Sequence, residues 1–167
     1  MEYLVDGHNL IGAGVIPGID IDQEDDEARL MMWLRARQPN LRAKITVVFD
    51  GGVPGGTSLA LSGGGVTAVF AARYRSKADP VIINRVSKAR NPANITVVTN
   101  DADVRRAVRA LGAQVMRAEE FVARMRRHPR PPASSARRGS SKIEPKLPKQ
   151  EVEEWLRIFG AADEEEA

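Results

Sequence analysis

The sequence predicts an α/β fold: a central, mostly parallel sheet of four to five strands, flanked by helices. Three observations lead there. Short β-branched or apolar runs at residues 3–5, 45–49, 66–70 and 95–99 have the composition of strands, and residues 114–116 add a shorter one. Between the first two lies a helical pattern, and a strand-helix-strand unit closes through a right-handed crossover, which makes its strands parallel. Finally, three of the runs lead into an acid: Asp6 follows Val5, Asp50 follows Phe49, and Asp101 follows Thr99-Asn100. Parallel strands would bring such ends side by side, about 5 Å apart, at the sheet edge where ligands bind in open α/β folds.

In chain order, Tyr3-Leu4-Val5 is cut off by Asp6-Gly7, a pair that ends strands and opens turns. Residues 12–22 read as a loop of Gly, Pro and Ile. From Asp22 a run of acids opens a helix, favouring the positive end of its dipole, with Leu30, Met31 and Leu34 at helical spacing. Arg35 and Arg37 close it, and Pro39-Asn40 stops it. Residues 51–65 hold seven of the fourteen glycines, the composition of a mobile loop beside Asp50. That loop lacks the Lys of a phosphate loop, and Gly12-Ala13-Gly14 lacks the third Gly of a dinucleotide fingerprint, so no nucleotide cofactor is expected.

Ala78-Asp79-Pro80 reads as a helix start, Pro80 at the first helical position and Asp79 as the cap, with Val81, Ile82 and Val86 as the apolar face. For Asp79 the cap and a metal-ligand role are both open and can coexist. Val104, Val108 and Leu111 mark the next helix, closed by Gly112, and Asp101 can cap its start. Residues 118–127 form an Arg-rich helix. The domain ends there: residues 128–147 are a basic, Pro/Ser-rich linker, and residues 148–167 an amphipathic helix through Val152, Trp155, Leu156 and Phe159 followed by an acidic tail. That helix either packs back on the domain or engages a partner.

Composition narrows the function. The chain has no Cys, which excludes disulfides, thiolate zinc sites and a cysteine nucleophile, and only His8 and His128, which argues against histidine-rich metal chemistry. No apolar run approaches a membrane span, and Asp6 interrupts the first apolar stretch too early for a signal peptide, so a cytoplasmic location is expected. The net charge of +3 conceals a balance of +12 over residues 71–146 against −9 elsewhere. Concentrated Arg suits phosphates, so RNA or DNA is the favoured partner, with a solvated basic surface as the plainer alternative. Carboxylates gathered at strand ends suit a hard divalent cation.

The pieces Leu4-Val5-Asp6-Gly7-His8-Asn9-Leu10-Ile11, Val47-Val48-Phe49-Asp50-Gly51, Lys77-Ala78-Asp79 and Val97-Val98-Thr99-Asn100-Asp101, in this order, resemble the NYN domains of the YacP type, bacterial members of the PIN-like nuclease superfamily. The resemblance covers roughly residues 1–127. It implies a PIN-like three-layer fold and a metal-dependent ribonuclease, an endoribonuclease of RNA processing or decay, using Mg²⁺ or Mn²⁺. Carried over by position, Asp6, Asp79 and Asp101 match the metal-binding acids, Asn9 their polar partner, and Asp50 a supporting acid. Asp103 could reach the metal through water, although a solvated helix-start acid is the simpler reading. Arg73, Arg75, Lys77 and Arg105, with Arg130, Arg137 and Arg138 of the basic arm, are the candidate RNA-backbone contacts. Lys77 and Ile83 depart from the family's usual Thr and further acid, which leaves one ion or two open.

Three rival readings remain. A phosphatase using one Asp as nucleophile would want Asp-x-Asp, whereas Gly7-His8 follows Asp6. A non-catalytic RNA-binding or ribosome-associated module would bind RNA without cutting it. A receiver-like domain would share the strand-end acids. RNA target, cleavage mode and oligomeric state are not written in the sequence.

Overall fold

The computed structural model describes residues 1–51, 55–71 and 77–127. The linker, the C-terminal helix and Arg73, Arg75, Arg130, Arg137 and Arg138 lie outside these residues. The expected mostly parallel sheet forms, but with six strands rather than four to five: β1 (Glu2–Asp6), β2 (Lys44–Phe49), β3 (Gly56–Gly63), β4 (Val66–Phe70), β5 (Ile95–Val98) and β6 (Gln114–Met116), in the order β3-β4-β2-β1-β5-β6. β1 is central, parallel to β2 on one side and β5 on the other, with Glu2 opposite Lys44 and Ile95, and Val5 opposite Val47 and Val98. β3 alone runs antiparallel, against β4.

β3 stands where the glycine pattern predicted a loop. Its Thr57-Ser58-Leu59-Ala60-Leu61 is adequate strand material, and Gly63, Gly64 and Gly65, all at positive φ, supply the turn into β4. Arg35 of helix α2 (Asp26–Arg37) secures this hairpin by donating from Nη2 to the Leu61 carbonyl. Gly63, Gly64 and Gly65 are thus hairpin chemistry rather than a mobile loop.

The pleat sends alternate residues of β1 into two apolar layers. Tyr3 and Val5 pack with α1 (Gly7–Gly12), α2 and α5 (Ala118–Arg126), through Leu10, Leu30, Leu34, Phe121 and Met125. Leu4 packs on the other face with α3 (Ala78–Ser87) and α4 (Ala102–Ala110), through Ile82, Val86, Val104 and Val108. The result is a helix-sheet-helix sandwich, as expected. Helix α1 lies where only a turn was expected, and α2 begins at Asp26 rather than Asp22. Gly7 permits the first of these: a Cβ there would sit 2.5 Å from the Phe49 ring, so only glycine lets the chain turn into a helix directly against β2.

Candidate metal centre

Of the five acids expected at the site, Asp6, Asp50, Asp79 and Asp101 stand at the C-terminal edge of the central strands, and Asp103 does not join them. Asp6 closes β1 and caps α1, its Oδ1 accepting from the Asn9 backbone N–H at 3.3 Å. Its Oδ2 faces the Thr99 hydroxyl at 3.5 Å, and the residue is 5% exposed. Asp101 caps α4, one carboxylate oxygen accepting from Asp103 N at 2.8 Å and Val104 N at 3.0 Å, while its own N–H donates to the Thr99 hydroxyl at 3.1 Å. Thr99 therefore bridges the ends of β1 and β5.

Asp79 is not the cap that Asp-Pro suggested. α3 starts one residue earlier, at Ala78, with Lys77 in the cap position offering no side-chain bond. The Asp50 carboxylate, arriving from the end of β2, accepts from Ala78 N instead. With the cap supplied from another strand, the half-buried Asp79 carboxylate stands in the first turn of α3 and caps nothing among the described residues. Pro80 still fits, since the first N–H groups of a helix have no intrahelical partner.

The carboxylates sense one another. The Asp6 carboxyl is pushed up to about 6, first by burial and then by the charges of Asp79 and Asp50, against the Asn9 N–H and His8, which lower it. Asp79 is raised first by burial, then by Asp101 and Asp50, against a lowering by Lys77. Among the described residues, no Lys or Arg forms an ion pair with Asp6, Asp50, Asp79 or Asp101. The buried Asp6 and the half-buried Asp79 and Asp101, whose charges repel within the group and which pair with no Lys or Arg among the described residues, are a donor set that fits a divalent ion.

Other expected residues have other surroundings. The Asn9 side chain accepts from Asn100 N at 2.7 Å, clipping the loop after β5 to α1. Asp103 is exposed and pairs with Arg106 at 3.2 Å, as a helix-start acid does. Arg105 donates from Nε to the Asp101 carbonyl at 3.3 Å and, with Arg106 and Arg109, lines a hollow of about 230 Å³ on α4.

Sequence reasoning missed His8. Its Nδ1 accepts from Asp50 N at 3.1 Å, its Nε2 lies 3.5 Å from Glu27 Oε1, and its ring meets Phe49 edge-on at 5.5 Å. His8, the buried Asp26 and Glu27 bring ligand atoms within 4.8 Å of one another, so this trio can also hold a metal. Asp6, Asp79 and Asp101 are not packed to that spacing. Asp26 and Glu27 look like dipole-favouring helix acids in the sequence, and only the fold brings His8 to them.

A family model described as the YacP-like NYN domain matches residues 3–160. Among solved structures, the chain resembles Rae1 (YacP) from Bacillus subtilis, with 25% identity and a TM-score of 0.58 over 75% of this chain and 73% of that one. A variant of that protein with one Trp-to-Leu change matches at 26% identity and a TM-score of 0.58, over 74% of each chain. No curated protein matches.

Proposed function

The chain belongs to the YacP-like NYN domain family, a family of nuclease-type domains with a PIN-like fold, and from that premise we propose that it is a divalent-metal-dependent ribonuclease that cuts RNA internally. One observation carries the reading. Carboxylates from β1, the end of β2, the start of α3 and the start of α4 share one sheet edge, where burial first and their neighbours' charges second raise Asp6 and Asp79, and they have no Lys or Arg ion pair among the described residues. In this reading Asp6, Asp79 and Asp101 hold Mg²⁺ or Mn²⁺. Bound there, such an ion supplies an activated water and neutralises charge building on the phosphate.

The chain's own groups supply the frame. Asp50 fixes the start of α3 through Ala78 N and so sets where Asp79 stands. Asn9 and Thr99 tie the ends of β1 and β5, which holds Asp6 and Asp101 in register. Lys77 and Arg105 flank the acids and are the proposed contacts to the RNA backbone, with Arg73, Arg75, Arg130, Arg137 and Arg138 extending that contact along the chain. The partner proposed is cytoplasmic RNA, free or on the ribosome. No helix among the described residues is long and apolar enough to cross a membrane.

The test is cleavage of single-stranded and structured RNAs with Mg²⁺, with Mn²⁺ and with chelator, followed by mapping of the ends. Internal cuts that need metal and vanish in Asp101→Asn are expected. RNA binding without any cut in either metal would overturn the enzymatic reading in favour of a binding module.

A further inference from the structure

The acid edge has a counterpart of opposite charge at the other end of the same strands. The N-terminal ends of β1, β2 and β5 are in register, and a hollow of about 600 Å³ lies over them, lined by Arg42, Lys44, Arg90, Asn91 and Asn94 among others. The three cations are exposed and form no ion pair among the described residues. Glu2, the carboxylate that also lines the hollow, is already engaged, accepting from the Thr46 hydroxyl at 2.7 Å and from Arg85 Nη2 at 3.1 Å. Its charge is thus spent on a residue outside the lining. The Asn91 and Asn94 side-chain amides have no hydrogen-bond partner among the described residues. Arg42 itself is held at φ +50, a left-handed conformation that every other such residue described leaves to glycine.

We propose that this hollow is a second phosphodiester-binding site, gripping RNA backbone at the pole of the sheet opposite the acids. The chemistry selects phosphates: Arg forks and a Lys present uncompensated positive charge, and free amides add neutral donors. It selects backbone over bases, because no aromatic side chain lines the hollow to stack on. β1 separates the two poles by about 13 Å, four rises of 3.3 Å, so only an RNA longer than a few nucleotides can touch both. The choice of RNA rests on the proposed nuclease reading; the anion site itself does not.

The experiment measures RNA binding by the full chain in chelator, where nothing is cut, across a salt series. The triple variant Arg42→Gln, Lys44→Gln, Arg90→Gln is expected to bind a long single-stranded RNA at least tenfold more weakly. Three lost phosphate contacts should also flatten the slope of log K against log salt by about 2. Cleavage of a few-nucleotide oligomer in Mn²⁺ should be unaffected, since it needs only the acid edge. Unchanged affinity and slope for the long RNA would overturn the site. Should the triple variant not fold, Arg90→Glu alone, on an exposed turn after α3, must show the same loss of long-RNA affinity. Loss of long-RNA affinity in a protein that never cuts RNA would leave this site standing and remove the ribonuclease reading.

Discussion

Asp6→Asn should stabilise the metal-free protein while destroying its function. Asp6 is 5% exposed, and its carboxyl is pushed from 3.8 to about 6. A carboxyl raised in the folded state adds no penalty below its unfolded value, and costs stability as pH rises through the folded value. The full cost above about pH 6 is therefore about 3 kcal/mol, at roughly 1.4 kcal/mol per pKa unit. Asn removes the charge and keeps the shape: it caps as well as Asp, its oxygen can still accept from Asn9 N, and its amide can donate to the Thr99 hydroxyl. Urea unfolding in chelator should show the variant more stable by up to about 3 kcal/mol at pH 8 and equal to the native chain near pH 4. Manganese at a hundredfold over its Kd would restore about 2.7 kcal/mol to the native chain and little to the variant, closing the gap. A variant that unfolds at the same or lower urea in chelator at pH 8, with no change in the gap on acidification, would refute the account of Asp6 as a charge waiting for a cation.

Three more outcomes follow from single contacts. Asp101→Asn should lose metal-dependent cleavage with unfolding free energy within about 0.5 kcal/mol of native, whereas Asp101→Ala should also lose about 1 kcal/mol because it removes the α4 cap; equal stability of the two variants would deny the cap. Gly7→Ala should cost about 1 to 3 kcal/mol in urea unfolding, since its methyl would press on Phe49. His8→Leu removes the acceptor for Asp50 N, which in turn holds the start of α3. It should lower manganese affinity about tenfold by calorimetric titration, and unchanged affinity would show that the link from His8 to Asp79 carries nothing.

The sheet was legible because its strands are buried on both faces, and such strands announce themselves as unbroken β-branched runs. Val47, Val48 and Phe49, or Val97 and Val98, are fully buried in runs that are β-branched and too short for a buried helix. The acids were legible for a related reason: an ionisable residue at or just past the end of an apolar β-branched run marks where the buried strand stops. β3 was not legible, because an edge strand pairs on one side only, and its glycines say hairpin and loop equally well. Nor was the place of Asp79 inside the helix, since Asp before Pro is the local signature of a cap, and only the arrival of Asp50 from a distant strand overrides it.

The amino-acid order by itself determined the α/β class, the parallel core, the carboxylates at its edge and the concentration of Arg in the later half. Tertiary structure alone decided what each side chain meets: His8 against Asp50 and Glu27, Asp50 on α3, and Arg42 and Lys44, from the acidic part of the chain, beside Arg90 at the far pole. The physical reason is range. Strand and helix patterning act over a few residues and can be read locally, whereas charge and hydrogen bonding act through space between groups whose separation in sequence, such as 42 residues from His8 to Asp50, carries no record of their contact.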